Sequence, residues 1–141
     1  MQHTNLTATE SEQLDKAVER EGKRTQSWDD TIAKWRGTAA QSEKGYRLSI
    51  YDYINDIAVR DLIQKTLDTL TDELKRKVQP TVNEVDTIFM EATNEVAEPL
   101  VHKMLELKPD ASIKKEPGWW WRRVPKLLEG EFKSDVEEWY Q

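Results

Sequence analysis

The chain contains no cysteine. That excludes disulfides, thiolate catalysis and cysteine-ligated zinc, and it fits a reducing cytosol. Histidine is nearly as scarce, with His3 and His102 as its two copies. No serine or threonine stands in a recognisable nucleophile context. Glycine numbers 5 in 141 residues, and there is no phosphate loop or dinucleotide fingerprint. No apolar run approaches the roughly 20 residues of a membrane span. The opening Met1-Gln2-His3-Thr4 has neither a basic region nor an apolar stretch, so no signal peptide is expected. A cationic excess is also missing. The net charge of −6 argues mildly against a whole-surface nucleic-acid binder.

What is present is charge and helical periodicity. Charged residues make up 34% of the chain and the mean hydropathy is −0.83, which predicts a soluble protein. The length suits a single domain, 1–141, with residues 1–8 frayed. Thr9 with Glu12 fits a capping box for a short helix reaching Glu21, and Gly22 stops it. Ser27 with Asp30 starts a second, on which Trp28, Ile32 and Trp35 recur at helical spacing. Gly37 is expected to end it, with 38–45 as a loop.

The dominant feature predicted is a long antiparallel hairpin, 46–107, hinged at Gln79-Pro80-Thr81. Its first helix, 46–78, carries two apolar stripes. One is Tyr46, Ile50, Tyr53, Ile54 and Ile57; the other runs from Val59 through Ile63, Leu67, Leu70 and Leu74 to Val78. At 100° per residue they lie almost opposite each other. Either the chain bends near 58–61, or the two halves face different neighbours. Trp28 and Trp35, or a second copy of the chain, are the covers expected for the Tyr46–Ile57 stripe. The second helix, 82–107, is predicted to start at a Thr81–Glu84 capping box and to kink near Glu95 because of Pro99. Leu67, Leu70, Leu74, Val85, Phe89 and Val96 are the expected core of the hairpin. The acid-before-base pairs Asp56–Arg60, Asp61–Lys65, Asp72–Arg76 and Glu73–Lys77 read as a solvated helix face. A last helix is expected from Pro125, with Leu128, Phe132, Val136 and Trp139 on one face. The predicted fold class is therefore all-α: a bundle built on that hairpin, covered by short N- and C-terminal helices.

Three constellations invite a functional reading. The most unusual is Trp119-Trp120-Trp121-Arg122-Arg123, followed by Lys126. Three adjacent tryptophans cannot share one buried side, in a strand or in a helix. Trp and Arg are the residues most enriched at interface hot spots, so Trp119, Trp120, Trp121, Arg122, Arg123 and Lys126 are the candidate partner-binding residues. The partner expected is a protein. The 114–126 stretch carries net charge +4, but the rest of the chain then carries −10, which opposes attraction to a polyanion. Nucleic acid, with rings stacking bases and cations on phosphates, is the second reading; a membrane interface is a third. The plain alternative is a loop that plugs the bundle, its arginines paired with Glu129, Glu131 or Asp135.

Glu91, Glu95, Glu98, His102 and Glu106 form the second constellation. Di-iron bundles need Glu-x-x-His on two helices, pointing inward; the spacing here is i, i+4, in one copy, so no metal is assigned. The third, Asp52, Asp56, Glu95 and Glu98, would serve a magnesium-dependent hydrolase, but carboxylates in a chain with 27 acids carry little specificity. The sequence thus favours a non-enzymatic, cytosolic adaptor without cofactor. An accessory nucleic-acid binder comes second and a metal-dependent enzyme third.

Overall fold

The computed structural model describes residues 6–97, 99–100 and 118–139. Among them the fold is an all-α bundle with one small two-stranded ribbon. Its helices are α1 (Ala8–Gly22), α2 (Trp28–Lys44), α3 (Ile50–Thr69), α4 (Asp72–Glu91) and α5 (Gly130–Trp139). Strands β1 (Thr93–Glu95) and β2 (Arg123–Pro125) pair antiparallel, and a 3-10 turn, Trp119–Arg122, precedes β2. None of the described helices is long and apolar enough to cross a membrane.

Helix starts follow local chemistry. Thr7, rather than Thr9, caps α1: its hydroxyl accepts from the Glu10 amide, and the Glu10 carboxylate takes the Thr7 amide. Glu10 then meets Lys77 of α4 at 2.9 Å. The Thr7 amide first, and Lys77 second, hold its carboxyl below the usual range. Ser27 caps α2 as its sequence predicts.

α1 ends at Gly22, as its sequence predicts, but the later helix ends do not follow local chemistry. α2 runs straight through Gly37 to Lys44, because Thr38, Ala39 and Ser42 are buried in the next turns. The hydroxyls of Thr38 and Ser42 are satisfied by the carbonyls four residues earlier. Gly45 ends the helix at φ 104°, where a side chain would strain the backbone and meet the Glu129 carboxyl.

The long hairpin divides differently from the expectation. Its first helix ends at Thr69, and Thr71 caps α4 through the Leu74 amide, so the turn is at Leu70–Thr71 and not at Gln79-Pro80-Thr81. Pro80 lies inside α4. Both Pro80 and Arg76, whose carbonyl loses its intrahelical donor, are exposed, so water can take that carbonyl. At the other end α4 stops at Glu91, and Thr93–Glu95 is strand rather than a kinked helix; Pro99 is non-helical. The remainder of the predicted second helix, 101–107, lies outside the described residues.

α3 settles the question of the two stripes. It is one helix whose halves face different neighbours. The N-terminal stripe is buried within the chain itself. Phe132 of α5 packs edge-on against Tyr46 at 5.0 Å and tilted against Tyr53 at 5.1 Å. Tyr46, Ile50, Tyr53, Ile54 and Ile57 are all buried within the one chain. α3 also packs on α1 and α2, and α2 packs in turn on α4. Trp35 accordingly faces Phe89 of α4, at 4.7 Å, rather than pairing with the tyrosines. Of the expected hairpin core, Leu67, Leu74, Val85 and Phe89 are buried, while Leu70 and Val96 are half-buried. α5 begins at Gly130, not at Pro125, which belongs to β2. Leu128 instead bridges in parallel to Tyr46, fastening the start of α5 to the α2–α3 connection.

Candidate functional site

The sequence pointed to the Trp-Arg run, and the structure places that run beside a buried polar cluster that local reasoning had read as surface. Arg60, on α3, is 3% exposed. Its Nε and Nη2 each donate to a different oxygen of Asp86 on α4, both at 2.9 Å, and its Nη1 donates to Gln64 at 3.1 Å. Asp86 also accepts the indole N–H of Trp35 from α2 at 2.9 Å. Three helices therefore converge on one carboxylate. The i, i+4 partner suggested for Arg60 was Asp56. In the fold Asp56 accepts from the Tyr46 hydroxyl instead, and burial first, then that acceptor, push the hydroxyl far above its ordinary value.

The 3-10 turn covers this cluster. Trp120 lies face-on to Arg60, with the guanidinium carbon 4.5 Å from the ring centroid. The indole N–H of Trp120 donates to Asp61 at 2.8 Å, and that of Trp121 donates to the same carboxylate at 2.9 Å. Both rings are buried, at 4% and 6% exposure. Trp119 is half-buried and packs on Phe89 and Trp120. A tight turn thus solves the geometric problem of consecutive rings: two point to one acceptor while the third covers the end of the core. Gly118 is required for space. A Cβ there would lie 2.3–2.6 Å from the Trp120 ring.

The arginines are committed to backbone carbonyls, not to Glu129, Glu131 or Asp135. Arg123 donates from Nη2 to the Met90 and Thr93 carbonyls at 2.9 and 2.8 Å, and from Nε to the Thr93 hydroxyl at 3.0 Å. It is a cation closing the C-terminus of α4, where the helix dipole favours positive charge. Arg122 donates to the Ala97 carbonyl at 3.0 Å. Glu129 pairs with Arg47 at 2.8 Å, and Asp135 accepts the first amide of α3, Ile50 N–H, at 2.9 Å. Lys126 and Leu127 point out of the ribbon's end and are exposed, Leu127 at 52%.

The other two constellations are described only in part. Glu91 ends α4 and Glu95 stands in β1, both exposed; Glu98, His102 and Glu106 lie outside the described residues. Among the described residues no group of three His, Asp or Glu side chains is placed to hold a metal ion. Asp52 is the capping-box carboxylate of α3, receiving the Ser49 amide. Sequence reasoning missed Arg60, Asp61 and Asp86. The first two had plausible local partners at i−4 and i+4, and nothing around Asp86 marks it as buried. Comparison with known proteins finds no match to this chain among family models, curated proteins or solved structures.

Proposed function

We propose that the protein is a non-enzymatic cytosolic binding protein, an adaptor or subunit of a larger protein assembly, that meets its partner through the outer side of residues 119–127. The observation that carries this reading is the division of the segment into an anchored and an open side. Trp120, Trp121 and Arg123 are tied inward by side-chain hydrogen bonds, while Lys126 and Leu127 stand exposed beside each other and Trp119 and Arg122 are half-covered. Anchoring from below fixes the surface before a partner arrives, which reduces the ordering cost of association. The same anchoring weighs against nucleic acid. Two of the three rings have no free face to stack a base, and Arg123 is already spent on α4.

The test uses full-length Lys126→Glu and Leu127→Asp. A protein captured by cross-linking from the source cell should bind each variant at least about tenfold more weakly, roughly 1.4 kcal/mol, with an unchanged melting temperature. Equal capture by wild type and both variants, or loss of capture upon nuclease treatment alone, would reject the proposal.

A further inference from the structure

The polar cluster under the Trp turn takes no hydrogen bond from the turn. Every hydrogen bond of the Arg60 guanidinium goes to Asp86 or Gln64, and Asp86 takes its remaining one from Trp35, all within α2, α3 and α4. The turn contributes a ring face over Arg60, not a hydrogen bond. Its own polar ties run elsewhere, both indole N–H groups to Asp61, with Oδ1 shared at 2.8 and 2.9 Å. Asp61 is half-buried, so water can replace the indoles when they leave. Below the turn, by contrast, the ribbon is held independently. β2 is paired to β1, the Val96 amide donates to the Arg122 carbonyl, and Arg123 grips the end of α4. Among the described residues the chain thus has a firm hinge at 122–125, with the Asp61 hydrogen bonds and the packing of the buried Trp120 and Trp121 rings above it.

We infer that residues 118–121 form a strap that opens as a unit while the bundle stays folded, with Asp61 as its catch and Trp120 as its cover over the Arg60–Asp86 pair. Opening breaks two indole hydrogen bonds at a site that water reaches and leaves the hydrogen bonds of the buried pair in place. Opening also exposes two rings that are buried when closed, so the open form is a minor state, of the kind from which elements that respond to a partner are drawn. Closed, the strap shows the proposed partner surface its anchored form. Open, it frees two indoles and uncovers one face of a guanidinium. The inference adds regulation to the contact reading above, but its geometry does not depend on it.

Indole N–H resonances read the strap directly, and no partner is needed. In the wild-type chain, hydrogen exchange should give Trp120 and Trp121 Nε1–H one common rate, at least about tenfold faster than Trp35 Nε1–H, which sits on Asp86. In Asp61→Asn both strap protons should shift and exchange still faster, while the Trp35 proton and the far-UV circular dichroism stay as in wild type. Exchange of all three indoles at the rate of global unfolding would overturn the inference. So would unchanged Trp120 and Trp121 protection in Asp61→Asn, or loss of the Trp35 signal along with theirs. The wild-type measurement decides the matter even if the variant does not fold. Lys126→Glu and Leu127→Asp leave this readout untouched, so failure of the strap and failure of the contact surface are separately visible.

Discussion

Two arginine–carboxylate pairs tie distant parts of this chain together at almost the same distance and in opposite surroundings. Arg60–Asp86 is 2.9 Å long, with side chains 4% and 12% exposed; Arg47–Glu129 is 2.8 Å long, with side chains 76% and 41% exposed. Distance therefore says little about what each contributes. In the exposed pair, water competes for both ions and salt screens them. In the buried pair both ions have lost their hydration. That loss is offset by the two-point hydrogen bonding within the pair, by the added bonds of Trp35 and Gln64, and by the Trp120 ring over the guanidinium. The gain from forming such a pair is modest, but losing one member is costly, since the other is stranded.

Asp86→Ala should have the largest effect, a loss of about 3–5 kcal/mol in urea denaturation, because it strands Arg60 and the Trp35 indole N–H together. The double replacement Arg60→Met with Asp86→Leu should lose clearly less than Asp86→Ala alone, since no charge is then left unpaired. If the single and the double cost the same, the buried pair behaves like the exposed one and the contrast collapses.

Next in size is Trp120→Ala. Removing a buried ring that covers Arg60 should cost about 3–5 kcal/mol by cavity formation and desolvation changes. A ring displayed to a partner would leave the melting temperature nearly unchanged, so calorimetry of this variant separates the two roles.

Tyr46 sharpens the comparison from the side of pH. Burial and the Asp56 acceptor raise its hydroxyl above the ordinary value of 10.0. The unfolded chain therefore ionises first. Stability from this group is complete below about pH 10 and declines as pH rises further. Tyr46→Phe should show a shallower alkaline decline than wild type in a pH series of denaturation curves; identical slopes would mean the hydroxyl is not perturbed.

The smallest effect belongs to Glu129→Ala, expected within about 1 kcal/mol and shrinking further in high salt. A loss matching that of Asp86→Ala would show that Arg47–Glu129 fastens the start of α5 far more firmly than its exposure implies.

Legibility in the sequence tracked the range of the forces involved. The Ser27 cap was read correctly because a hydroxyl and an amide three residues apart decide it. Thr7 and Thr9 are each followed by a glutamate three residues on, so the local code offered two equal starts. The structure uses the one whose glutamate also reaches Lys77 on α4. Gly37 and Pro80 were read as breaks from their intrinsic cost, about 1 and 3 kcal/mol relative to alanine. Burial of the following turns outweighs the first, and the second falls where its orphaned carbonyl is exposed. Of the candidate site, the Trp-Arg run was visible as unusual, and its geometric difficulty was real. That a 3-10 turn would aim two indoles at Asp61, some 60 residues away, was not visible.

By itself, the sequence determined the all-α class, the cap at Ser27 and the apolar face of α5, because 3.6-residue periodicity and capping chemistry act within one turn of helix. Only the tertiary structure decided where α2, α3 and α4 end, which side of Arg60 is inside, and what the tryptophans touch. Those outcomes depend on burial and on partners 26 to 60 residues apart. Such pairings are selected by the competition between desolvation and long-range packing, and no short window of residues records it.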